Sequence, residues 1–138
     1  MSGEPKDSIG FQLQRAHARL RGVVLAALEG SDLNPGQLAI LGALSARAGL
    51  TQRELIAATD IEKSSMVIFL DRLEAQGWIE RRSHPTDRRA HAVYLTKAGL
   101  SRLAVVGPRL AAAQAKVLDV LDPHEKEDLL RLLQRLSG

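Results

Sequence analysis

Apolar residues recur along this chain at two periods, and the change of period marks a change of structure. From about Ser8 to Glu29 they fall at Ile9, Leu13, Ala16, Leu20, Val23, Val24, Ala27 and Leu28, the spacing of one face of a helix. Gly30, Ser31 and Asp32 interrupt the pattern. In "LNPGQLAILGALSA" Asn34 suits the cap, Pro35 the first helical position and Gln37 the third, which predicts a second helix to about Ala48, ended by Gly49. "TQRELIAATDIEKSSMVIFLDRLEAQG" then holds two helices in quick succession. Thr51 and Glu54 have capping-box spacing, Thr59 to Glu62 make the turn with Ile61 inward, and a helix from about Lys63 to Gln76 has Met66, Phe69, Leu70 and Leu73 on one face. Ser64, Val67, Ile68 and Asp71 lie on the other.

After Gly77 the period shifts from helical to alternating. "WIERRS" and "AHAVYLT" are strand-like and "HPTD" between them is turn chemistry, so a hairpin is expected. Thr96 caps a long helix to roughly Leu121, with a kink expected near Gly107-Pro108 because proline removes a backbone donor. "LDPHEKEDLLRLLQRL" starts a last helix with Asp122 as cap, Pro123 first and Glu125 third. The order helix, helix, helix-turn-helix, hairpin, helix, helix predicts a mainly α fold with a small β-hairpin.

At 138 residues the chain suits one domain able to bury a core without covalent staples. It has no cysteine, which excludes disulfides, thiol nucleophiles and CxxC zinc sites. "MSGEPKDSIG" does not read as a signal peptide and no 18 apolar residues run uninterrupted, so a cytoplasmic protein without a membrane partner is expected. The formal charge is only +3, but residues 77–102 carry six basic residues against two acidic ones while the rest of the chain nearly cancels. Charge this local suits contact with a polyanion.

The centre of that charge is "RRSHPTDRR", residues 81–89. A short helix, a tight turn and a second helix with a free outer face can set that second helix in the major groove of DNA, and a hairpin after it reaches sideways to phosphates and the minor groove, where arginine is favoured. The arginines therefore suit the wing of a winged helix-turn-helix. The expected contacts are Lys63, Ser64, Ser65, Val67, Ile68 and Arg72 on the recognition helix, Thr51, Gln52 and Arg53 on the first helix of the pair, and Arg82, Arg88 and Arg89 with Asp87 on the wing. Asp87 is repelled by phosphate, so it is expected to pair with Arg88 or Arg89 and hold the loop. Arg81 and Arg82 alternate along a strand, so at most one of them faces nucleic acid.

From Leu33 to Leu103 the chain resembles the MarR family of transcription regulators. The matching elements are "LNPGQLAILGAL", "LTQRELIAATDIEKSSM", "DRLEAQGWIERR" and "DRRAHAVYLTKAG", the last with the Asp-x-Arg then Leu-Thr of the family's wing. The resemblance implies a homodimer that binds a pseudo-palindromic operator on double-stranded DNA, usually represses, and often releases DNA when a small aromatic acid or phenolic effector binds. It also implies that residues 1–32 and 100–138 are dimerisation helices around a winged helix-turn-helix at 33–99. The leucines of the last two helices exceed what a small winged helix can cover alone, which agrees with a dimer. An intramolecular bundle is the alternative.

Two features depart from the family's commonest pattern or invite another function. Val67 and Ile68 stand where that pattern has a polar residue and an arginine. They either pack against thymine methyl groups on the DNA face or turn toward protein, and in the second case the chain reads as a winged-helix adaptor that binds a protein partner through them. Arg72 either contacts phosphate or pairs with a neighbouring acid. None of the four histidines has metal-ligand spacing. His17, with Arg21 one turn later on the same helix, either packs in the core or offers a site for a carboxylate. Trp78 and Tyr94 read as hairpin core. With four aromatic residues in all, single-stranded RNA recognition is a weak reading. No glycine-rich phosphate loop, nucleophile elbow or convergent pair of acids is present, so neither enzyme chemistry nor a cofactor or metal is expected.

Overall fold

A computed structural model describes residues 3–138. A 3-10 turn, Pro5–Asp7, precedes α1 (Ile9–Ala27), α2 (Pro35–Ala46), α3 (Gln52–Thr59), α4 (Lys63–Ala75), β1 (Ile79–Ser83), β2 (His91–Leu95), α5 (Lys97–Leu118) and α6 (Pro123–Ser137). The order matches the sequence pattern because the ends of most of these elements are set by local bonds. At α2 the Asn34 side chain accepts from the Gln37 N–H at 2.8 Å and the Gln37 side chain accepts from the Asn34 N–H at 3.0 Å. Thr51 with Glu54 and Asp122 with Glu125 repeat this reciprocal capping at α3 and α6, each cap satisfying donors that the first turn leaves open. α5 is one helix with Pro108 inside it and stops at Leu118, short of the expected Leu121.

The described chain divides into two compact units. One runs from Leu28 to Pro108, and the other combines the residues up to Ala27 with Arg109–Gly138. In the first, α2, α3 and α4 pack against one another and against the antiparallel hairpin, whose register sets Ile79 opposite Leu95, Arg81 opposite Val93 and Ser83 opposite His91. A bridge from Leu50 to Val93 extends the hairpin by a short third segment. Ile40, Leu41, Leu55, Met66, Leu70, Leu73, Ile79 and Val93 are all at most 2% exposed. Each apolar side chain of this kind contributes about 1.5–3 kcal/mol by leaving water. In the other unit α1 and α6 contribute no buried residue.

The hairpin joins α5 at a tight corner. Thr96 Oγ1 donates to the Gly77 carbonyl at 2.6 Å and accepts from the Gly99 N–H at 3.0 Å, while the Thr96 N–H donates to the Trp78 carbonyl at 3.1 Å. That places Gly99 against the Trp78 carbonyl so closely that an added Cβ would lie 2.0 Å from its oxygen. Backbone cannot swing aside as a side chain can, so this corner admits no side chain. Gly99→Ala is expected to destabilise the protein by about 3 kcal/mol. Gly42→Ala, at an exposed position of α2 with nothing within 4 Å, is expected to stabilise it by about 0.5–1 kcal/mol through helix propensity. Urea unfolding midpoints of the two variants check both signs.

Candidate nucleic-acid interface

The site is built around α4. At about 100° per residue, Met66, Leu70 and Leu73 form one line along the helix, and all three are at most 1% exposed. Ser64 and Ile68 lie opposite that line and face solvent. Val67 and Asp71 occupy the flank toward β1, because Asp71 and Glu74 are the acids that Arg81 of β1 reaches, at 2.9 Å and 4.0 Å. Arg81 is thereby a brace between the helix and the hairpin. Ser65 is half-buried on the other flank and Lys63 is exposed in the first turn. The N-terminus of α2 closes on α4 through Gly36, where a Cβ would come within 2.5 Å of the Phe69 ring.

Val67 and Ile68 are 40% and 50% exposed. Within the chain they therefore face outward, and the rotation that would turn them into the protein does not occur. Arg72 is exposed on the far flank. It forms no ion pair among the described residues, so its expected pairing with an acid is not found. It lines a cleft of about 600 Å³ together with Asp32, Asn34, Gln37 and Gln76.

The wing departs from expectation in two places. Asp87 does not pair with an arginine side chain. Its carboxylate accepts the backbone N–H of Arg89 at 2.9 Å, a local turn bond that is available before any guanidinium is ordered. Arg82 was expected to face nucleic acid, yet its guanidinium lies 4.4 Å from the centre of the Tyr94 ring and pairs with Glu80. Arg81 and Arg82 point to opposite faces of the strand, as alternation requires, and each finds a partner in its own chain. Arg88 and Arg89 at the tip have no ion pair among the described residues.

One contributor went unnoticed in the sequence. His84 Nδ1 accepts the N–H groups of Thr86 and Asp87 at 3.2 and 3.1 Å, closing the loop from inside. The signal was present in His-Pro-Thr-Asp, since a side chain ahead of a turn proline is placed to accept from the donors beyond it. Trp78 is half-buried and carries the Arg102 guanidinium 4.9 Å from its ring centre. Tyr94 is likewise half-buried, so neither aromatic is an open stacking platform.

On α3, Thr51 Oγ1 is occupied as acceptor for the Glu54 N–H at 3.2 Å, which leaves its hydroxyl proton to donate outward. Thr51, Gln52 and Arg53 line a cleft of about 430 Å³ with Asp87 and Arg89, so the structure brings the start of α3 and the wing together. His17 and Arg21 lie one turn apart on α1, both exposed. Neither lines the two clefts beside α4.

The MarR family model matches residues 31–90. A putative transcriptional regulatory protein for the hcr operon of Thauera aromatica is 31% identical over 137 residues, covering 99% of this chain and 80% of that protein. The chain belongs to the MarR family. Another MarR-like relative, the transcriptional regulator HosA of Escherichia coli O111:H-, is 30% identical over 107 residues, 78% of this chain and 79% of the relative. Among solved structures, the transcriptional repressor CouR bound to a 23-mer DNA duplex superposes with a TM-score of 0.89 at 29% identity, covering 100% of this chain and 98% of that one. CouR from Rhodococcus jostii RHA1 bound to p-coumaroyl-CoA gives a TM-score of 0.91 at 26% identity, with 98% and 95% covered. The winged helix-turn-helix read from the sequence is thus the fold of this MarR-family chain.

Glu54 holds the start of α3 in place. The Thr51 N–H bond and the Thr51 hydroxyl pull its carboxyl below the ordinary value, and the Arg47 guanidinium at 3.1 Å adds to this. The unfolded chain therefore takes up the proton first, so this contribution is complete above the ordinary carboxylate range and is lost as pH falls through it. Glu54→Gln keeps the capping geometry and removes the charge. Urea denaturation is expected to find the variant less stable at about pH 7 and equal to the parent at about pH 3.

Proposed function

We propose that this MarR-family regulator is a homodimeric repressor that binds a pseudo-palindromic operator in double-stranded DNA and releases it when a phenolic or other aromatic acid, or its thioester, binds. The observation that carries the reading is the division of its cations. Arg47, Arg81, Arg82 and Arg102 are each held by a carboxylate. Arg53, Lys63, Arg72, Arg88 and Arg89, all on the helix-turn-helix and the wing tip, have no such partner among the described residues. Unneutralised charge around an exposed helix suits phosphates, which release counterions when it arrives. The likeness to CouR in complex with a DNA duplex supports the same use of the fold, and the likeness to CouR with p-coumaroyl-CoA supports an effector of that class.

In this reading residues 1–32 and 100–138 carry the dimer contacts and 33–99 the DNA contacts. Leu129, Leu132, Leu133 and Leu136 stand at i, i+3, i+4 and i+7 on α6 and are 36–68% exposed. A single chain leaves this stripe wet, and a second copy would cover it. On α1, His17 and Arg21 are the candidates to meet an effector carboxylate.

Fluorescence anisotropy with labelled promoter DNA across a salt series tests the DNA reading. Arg88→Ala and Arg89→Ala are each expected to lower affinity for all sequences and to flatten the log-log salt slope by about 0.9, whereas Ser64→Ala reorders sequence preference. Addition of p-coumaroyl-CoA or a free phenolic acid is expected to reduce binding. Salt-insensitive association with a protein through Val67 and Ile68 would instead favour an adaptor. Sedimentation velocity tests the dimer: Leu133→Glu is expected to halve the mass of the parent species, and an unchanged mass would refute α6 as the interface.

A further inference from the structure

The outward face of α4 is unusual for a helix that reads bases. Ser64 is a small hydroxyl that can donate or accept and discriminates weakly. Asp71 is held by Arg81 at 2.9 Å and is not free to accept from a cytosine amino group. Arg72 lies on the flank away from the hairpin. What remains at the apex and on the wing side is Ile68 and Val67, 50% and 40% exposed, with no hydrogen-bonding group between them. In the major groove the one base feature that such side chains match is the 5-methyl group of thymine.

We infer that Val67 and Ile68 are the residues that set sequence preference, each packing on a thymine methyl, so that each operator half-site carries thymine at the positions they face. The inference rests on the proposed DNA-binding reading and deepens it. Charge argues for DNA over an apolar protein partner as the occupant of this face: Lys63 begins the same helix, Arg53 precedes it on α3, and Arg88 and Arg89 end the wing, all without an internal carboxylate partner among the described residues. An apolar partner would have to bury those charges uncompensated, whereas phosphates flanking a major groove neutralise them while two methyl-sized contacts form between.

The experiment uses the full chain. Its preferred duplex is first selected from a random pool, and each thymine of that duplex is then replaced singly by deoxyuridine, which removes the methyl and keeps the pairing. Loss of about fourfold in affinity at one or two positions per half-site is expected, the effect of burying one carbon group. The same substitutions are then made against Val67→Ala and Ile68→Ala, exposed positions where truncation leaves the core intact. At the matching thymine the deoxyuridine penalty should disappear in one variant and persist in the other, with the salt slope unchanged. Salt-dependent binding that is indifferent to deoxyuridine, or a penalty that survives both truncations, overturns this inference and leaves the DNA-binding reading intact. A folded chain that binds no duplex at low salt overturns both.

Discussion

Everything this molecule can present to a partner depends on how α4 is held. Its three inward residues, Met66, Leu70 and Leu73, are sealed among α2, α3 and the hairpin. Interiors packed to that density do not let a helix roll, so the opposite face is presented at a fixed rotation. The Arg81 brace to Asp71 and Glu74 then ties the hairpin to the same helix. Arg81 is 29% exposed on its side chain, which shields the pair more than an open surface bridge and makes the planar fork a good strut. Through these two restraints the wing and the outer face of α4 behave as parts of one body.

Charge is sorted by the same construction. The cations nearest the packing seams are satisfied within the chain: Arg81 by α4, Arg82 by Glu80 and Tyr94, and Arg102 by Trp78 with Asp32 at 3.8 Å. The cations at the periphery are left over. Acids in the region are mostly occupied, Glu54 as a cap for α3 and Asp87 as a cap for the Arg89 N–H. Asp87 thus stiffens the loop through the backbone while both neighbouring guanidinium groups stay available. A surface pair between side chains would have contributed little stability and would have neutralised one of the two charges best placed to meet a polyanion.

The apolar surface is sorted as well. Within Leu28–Pro108 the large exposed hydrophobics include Val67 and Ile68, while α1 and α6 carry Ile9, Phe11, Leu13, Leu25 and the α6 leucines exposed. Helices with no buried residue of their own gain little from packing inside one chain, so their apolar stripes call for a cover from outside it. The isolated pair on α4 is too small for that kind of interface and is framed by cations, which is why it suits contact with the groove of a polyanion.

Much of this was legible along the chain, because it is local. The capping boxes at Asn34, Thr51 and Asp122, the apolar spacing of α4 and the change of period at Gly77 involve residues three or four apart or alternating, and such bonds form regardless of what lies elsewhere. The family motifs and the charge excess of residues 77–102 were legible for the same reason. Which arginine stays free was not. Arg82 and Arg88 look equivalent in "RRSHPTDRR", and only the strand's alternation together with the position of Tyr94 across the hairpin takes Arg82 out of circulation. Asp87 is bound to a backbone N–H by the shape of a turn closed by His84. Gly99 is confined by the Trp78 carbonyl, 21 residues back in sequence, with an added Cβ 2.0 Å away. Sequence alone determined the elements, their ends and the sign of the local charge. Tertiary structure decided which side chains remain to act, because the partner that satisfies a long, flexible cation is chosen by proximity in space.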